Sequence, residues 1–225
     1  MKKTVILTMT AATMLTTSVG FAAPLNDYSA GKTSIDMTWR QSSLDANSQS
    51  TNDALSKKGN MEFGITTGLG GNFAFQYTNA NNKSKDTSLP DGAGGTYREN
   101  GSLKTQEFNV LYKLDKNVSA YVGMVNLKGN INDEGSGPSS SSKKKVQFGL
   151  MGSTKLGDKT TAYAQVGFAS SFNTWKVGIS QEVASNLELN IDYRRTQAKK
   201  MSFDNGLGDV DMTAKGIGVG LSYKF

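Results

Sequence analysis

The chain reads as all-β, an antiparallel up-and-down transmembrane β-barrel of about ten strands, with eight as the alternative count. Three observations predict this. Short segments alternate apolar and polar residues with period two, the mark of strands that are apolar on one face only. The connections between them alternate short and long along the chain. Mean hydropathy is −0.43 and no run of 18 apolar residues follows the first 22, so any crossing must use strands.

Met1 to Ala22 has the form of a secretory leader: Lys2 and Lys3, an apolar stretch from Val5 to Val19, and the small-x-small end Gly20-Phe21-Ala22. Residues 23–32 form a short N-terminal segment, and 33–225 the barrel domain. Ile35, Met37 and Trp39 mark the first strand, and Met61, Phe63, Ile65 and Leu69 the second. Gly70-Gly71-Asn72 turns into Phe73, Phe75 and Tyr77. Phe108, Val110, Tyr112 and Leu114 make the fourth strand, and Val118 to Leu127 the fifth. The facing of the fifth is ambiguous, because Tyr121 and Val125 oppose Val122 and Met124. Val146 to Leu156 and Thr160 to Phe168 follow, the latter with a weak face. Trp175, Val177 and Ile179 lead into Leu187, Leu189, Ile191 and Tyr193, and Ile217, Val219, Leu221, Tyr223 and Phe225 end the chain.

The even-numbered strands are followed by turns of Gly, Asn, Asp and Ser. The odd-numbered ones are followed by polar connections, Ser42–Lys58, Ala80–Leu103, Lys128–Lys144 and Arg195–Met212, and only Ala169–Asn173 is short. One end of the sheet is therefore expected to be trimmed and the other elaborated. With this alternation and the last strand, Gly216 to Phe225, the chain resembles the small bacterial outer-membrane β-barrels of the broad porin-like and opacity-protein group. The resemblance implies a cell outer-membrane location, periplasmic turns and extracellular loops. It also implies outer-membrane lipid and lipopolysaccharide as neighbours, and an assembly signal at Leu221, Tyr223 and Phe225 read by the outer-membrane assembly machinery. The group includes pores, adhesins, enzymes and scaffolds, so function has to come from the site.

If the apolar positions face lipid, alternation assigns Asp36, Glu62, Glu107, Glu182, Glu188 and Asp192 to the lumen with Arg40, Lys176 and Arg194, and Lys113, Lys155 and Lys224 toward the rims. Six acids against six bases suit an ion-paired interior better than a filter with one sign of charge. A lumen of ten strands is narrow. Gly64, Gly68, Gly178, Gly216, Gly218 and Gly220 either leave a passage there or ease strand curvature. The expectation is a non-catalytic envelope or surface scaffold, or a narrow porin-like channel, with a surface adhesin or ligand-binding barrel as the alternative.

The chain has no Cys and no His, which removes thiolate sites, the common zinc centres and His-dependent hydrolysis. A Ser-Lys pair such as Ser153 and Lys155 stays open. No cofactor is implied. Net charge is a mild +6 with both signs interspersed, which does not suit nucleic acid. Asp204, Asn205, Asp209 and Asp211 offer oxygen atoms for Ca²⁺ but read better as a polar loop. Ser139 to Ser142 followed by Lys143, Lys144 and Lys145 reads as a solvated loop whose charges could meet lipopolysaccharide phosphates. Trp39, Tyr77, Trp175 and Tyr193 have the placement of an aromatic girdle.

Overall fold

The computed structural model describes residues 24–48, 52–90, 94–135, 137–203 and 208–225; the leader assigned to 1–22 lies outside the described residues. In lipid every backbone N–H and C=O needs a protein partner, and a closed sheet supplies them all. The strands are β1 (Thr33–Asn47), β2 (Asn52–Gly70), β3 (Phe73–Lys83), β4 (Thr87–Pro90), β5 (Thr96–Asp115) and β6 (Val118–Asp133). They continue with β7 (Gly137–Lys155), β8 (Thr160–Ala169), β9 (Phe172–Ala184), β10 (Leu187–Phe203) and β11 (Gly208–Lys224). Neighbours pair in the order β3-β2-β1-β11-β10-β9-β8-β7-β6-β5-β4, and β3 also pairs with β5, which closes the sheet. Along β5, Lys83 stands opposite Ser102 and Thr87 opposite Glu99. β4 therefore continues the line of β3 after a short break, and the barrel has ten staves, not eight.

Both described ends of the chain lie at one end of the barrel, where the Phe225 N–H donates to the Thr33 carbonyl at 2.9 Å. The tight turns β2–β3, β5–β6, β7–β8 and β9–β10 share that near end. At the far end, the polar connections expected as loops are mostly strand. β1 runs to Asn47, β6 to Asp133 and β10 to Phe203. β5 has 20 residues, where about 9–11 suffice to cross a bilayer, so the barrel stands well clear of the lipid as a β-sleeve. Only the β8–β9 hairpin stops low.

These strands escaped the alternation test because the alternation changes sign. On β1, Ile35, Met37 and Trp39 face outward and Ser34, Asp36, Thr38, Arg40 and Ser42 inward; above them Gln41, Ser43 and Asp45 face outward and Leu44 and Ala46 inward. On β11, Val210, Met212 and Ala214 point in beside outward Asp211 and Lys215, before the pattern reverts at Ile217. Lipid demands apolar atoms outside, whereas water beyond the lipid demands them inside. Register shifts at Ser42/Leu44 and Ala198/Met201 blur the phase further. On β6, Tyr121 and Val125 face inward while Val122 and Met124 face lipid, so both faces are apolar for separate reasons.

The outward band carries paired rings at its far border, Tyr77 with Phe108 at 4.9 Å and Trp175 with Tyr193 at 5.3 Å between centroids. Trp39 lies over Gly59 at the same border, where a Cβ on that glycine would sit 2.6 Å from the indole nitrogen. Between the borders the outward side chains stay bare, as with Val146 at 69% and Phe148 at 63% exposure. A continuous apolar belt of this kind is incompatible with a water-facing surface.

Candidate functional site

The interior is built from side chains that alternation points inward on facing staves. Arg40 on β1 grips Glu62 on β2 with two bonds, Nε to Oε1 at 2.8 Å and Nη2 to Oε2 at 3.0 Å. The same guanidinium reaches Asp192 Oδ1 on β10 at 2.7 Å and donates from Nη1 to the Gly216 carbonyl at 2.9 Å. Arg194 meets Glu107 on β5 at 2.7 Å and stands 3.8 Å from Glu62. Lys176 sits 5.6 Å above the Tyr163 ring and lines the same small cavity as Glu62, Asp192 and Arg194. Three acids thus face three bases in one belt across the bore. Fork-shaped pairing of this sort satisfies both partners in a dry interior.

Alternation alone did not single out the amides that extend this belt. Gln147 Nε2 donates to Glu107 Oε2 at 3.0 Å and to Asn109 Oδ1 at 2.7 Å, and Asn109 Nδ2 donates to Gln76 Oε1 at 3.3 Å. Their signal was present, since they share the inward parity of the charges. The remaining designated residues lie nearer the termini. Lys224 is 3.4 Å from Glu188, whose Oε2 accepts from Ser180 Oγ at 3.2 Å. Asp36 accepts from Ser34 and Ser222. Glu182 stands opposite Glu188 across β9–β10 and makes no ion pair among the described residues. Leu221, Tyr223 and Phe225 project outward from β11, the last two rings 4.8 Å apart.

Two further layers of side chains pack inside the bore. At the near end the segment before β1 folds inward: Leu25 and Tyr28 are buried against Ala74, Leu111, Tyr121 and Met151. Tyr28 Oη donates to Ser119 Oγ at 2.9 Å, Asn26 Nδ2 to Ser153 Oγ at 2.8 Å, and Lys113 Nζ to the Asn26 carbonyl at 2.5 Å. Ser153 is therefore engaged by the N-terminal segment. At the far end, the inward apolar residues of the sleeve, among them Leu44, Leu103, Phe172, Met201, Phe203 and Met212, pack into one cluster. The cavity at the belt measures about 80 Å³, room for a few waters.

The luminal glycines make space for side chains. A Cβ at Gly218 would stand 2.9 Å from Arg40 Cζ, one at Gly178 would stand 2.5 Å from the Tyr163 ring, and one at Gly68 would strike the backbone of Tyr28 and Ser29. The lysine run also differs from its reading as a loop. Ser139 to Lys145 belong to β7, Lys143 and Lys145 face inward, and only Lys144 faces outward. Lys143 Nζ donates to the Lys200 carbonyl, closing the wall above the low β8–β9 hairpin. Asp204 and Asn205 lie outside the described residues. Asp209 and Asp211 accept hydrogen bonds from Ser202 and from the Lys200 N–H, and no metal-binding group of three acids occurs among the described residues.

Among the described residues the sleeve carries one carboxyl with a shifted pKa. Glu99, inward on β5, is pushed up to about 7 by burial and then by Asp53 and Asp133. An acid whose folded pKa is raised stabilises fully below its ordinary value near 4.5, and loses that contribution as pH climbs through about 7. Relative to the intrinsic rise of exchange with pH, amide protection at the top of β5 and β6 should fall between pH 5 and pH 8, and Glu99→Gln should flatten the fall. An unaltered pH profile in that variant would assign the effect elsewhere.

The family model for the outer membrane protein beta-barrel domain matches residues 11–225. A comparison with curated proteins finds no match. Among solved structures, the outer membrane protease OmpT from Escherichia coli superposes with a TM-score of 0.59 at 10% identity, over 87% of this chain and 97% of that one. Ail, the attachment invasion locus protein of Yersinia pestis, gives 0.42 at 12% identity over 87% and 99%. The outer membrane protein OprG from Pseudomonas aeruginosa gives 0.39 at 11% over 89% and 99%. At such identities the likeness concerns the fold alone. With its closed ten-stave barrel, bare apolar belt and near full-length family match, the chain belongs to the outer membrane protein beta-barrel domain family and is a small porin-like barrel of the cell outer membrane.

Proposed function

We propose that this barrel is non-conducting and non-catalytic, an envelope scaffold whose working surface is the outside and rim of its extracellular sleeve. The observation that carries the reading is closure of the bore at three levels: the N-terminal segment at the periplasmic mouth, the ion-paired belt, and the apolar packing of the sleeve. A conducting path needs continuous water lined by polar groups, and a dry apolar layer opposes ion entry. The absence of His and Cys from the whole sequence supports the non-catalytic part.

Residues 23–225, refolded and shown to be barrels by heat-modifiable gel migration, should give a silent planar bilayer. Reproducible unitary steps from the same preparation would overturn this reading in favour of the narrow channel.

A further inference from the structure

Just above the aromatic border, the outward face from β2 round to β7 differs from the rest of the sleeve. Three rows of outward residues cross it, set by strand register. The lowest runs Asn79, Gln106, Asn126, Lys144. The next places Lys104 directly opposite Lys128, flanked by Asn81 and Ser142, and the third runs Lys83, Ser102, Asn130, Ser140. No carboxylate stands in these rows. Like charges placed opposite each other across a strand pair are destabilising, so the Lys104/Lys128 pairing costs stability in isolation. Among the described residues none of Lys83, Lys104, Lys128 and Lys144 has an ion-pair partner. On the other side of the sleeve Lys215 is met by Asp45 at 2.7 Å.

Above the lysine row the surface hollows into an open groove of about 480 Å³, lined by Lys58, Lys83, Lys85, Asn100, Asn130 and Asn132 among others. Its acid, Asp86, is engaged by Asn100 Nδ2 at 2.7 Å. Directly below lie lipid-facing Phe108, Met124 and Val146, and Phe63 stands level with Asn79. From the membrane outward the face thus offers an apolar band, a row of uncompensated cations, and a groove rich in amides and hydroxyls. Acyl chains, phosphates and sugar hydroxyls are the groups that match those layers in that order.

We propose that this face is a binding site for lipopolysaccharide. Its acyl chains would lie on the apolar band, its glycolipid phosphates at Lys104, Lys128 and Lys144, and its saccharide in the groove above. The phosphates would offset the repulsion between the opposed lysines. Lys143 and Lys145 take no part, because they face the interior. The site rests on the outward surface and does not depend on whether the bore conducts.

The test uses the refolded barrel in detergent, with binding titrated for three probes: lipopolysaccharide, the same glycolipid with its phosphates removed, and phosphatidylglycerol. Lipopolysaccharide should bind most tightly, and removing its phosphates should weaken it. The triple variant Lys104→Gln, Lys128→Gln, Lys144→Gln should fold normally, since all three side chains point into solvent. It should lose roughly a factor of five per lysine, on the order of a hundredfold in total. The pair Lys199→Gln and Lys200→Gln, on β10 away from this face, should lose little, which separates a site from net charge. Equal binding by the triple variant, an equal loss in the β10 variant, or phosphatidylglycerol binding as well as lipopolysaccharide would each overturn the proposal.

Discussion

Replacing Arg40 with Met is expected to destabilise the folded barrel by about 3–5 kcal/mol, the cost of leaving buried charge without its partner. Arg40 is 2% exposed and serves Glu62, Asp192 and the Gly216 carbonyl together. Removing it strands two carboxylates in a bore that admits few waters. The combined variant Arg40→Met, Glu62→Gln, Asp192→Asn should recover part of the loss, because no carboxylate is then stranded and Arg194 keeps Glu107, which leaves Lys176 as the one belt charge without an acid. Unfolding of the refolded barrel in urea, followed by heat-modifiable migration, measures both. If the single variant stays within about 0.5 kcal/mol of the parent, the belt is not a structural element.

Phe172→Ala should act elsewhere and nearly as strongly. The ring is 2% exposed at the tip of the low β8–β9 hairpin and belongs to the apolar cluster of the sleeve. Deleting a buried ring costs about 3–5 kcal/mol when the cavity cannot collapse. No lipid supports the sleeve from outside, so its staves rely on this packing. Proteases should cut the β1, β6 and β10 hairpin tips of the variant far faster than those of the parent, while the membrane-embedded band keeps its heat-modifiable migration. Unchanged resistance at those tips would show that backbone pairing holds the sleeve without its apolar core.

The band within the lipid was legible because a single demand acts on it. Every second side chain must be apolar, so Ile35, Met37 and Trp39, or Ile217 to Phe225, announce both strand and facing. The inward parity of Arg40, Glu62, Glu107, Asp192 and Arg194 followed from the same rule. Where a strand passes from lipid to water the rule inverts, and small polar residues such as Ser139 to Ser142 then resemble a loop although they lie in β7.

The sequence by itself therefore determined an antiparallel barrel of about ten strands with eight left open, its membrane band, its tight turns at one end and a lumen carrying both signs of charge. Only the tertiary structure decided which charges meet, since Arg40 and Asp192 are joined through β11 by strand register and the tilt of the closed barrel, which local spacing does not encode. It alone decided that Tyr28 folds into the near mouth, that luminal glycines make room for side chains, and that Lys104 and Lys128 stand opposed. Periodicity reports which face a residue takes, because each residue alternates independently of the far wall. Partners across a bore, or across neighbouring staves, are set by closure of the sheet, a property of all ten staves together.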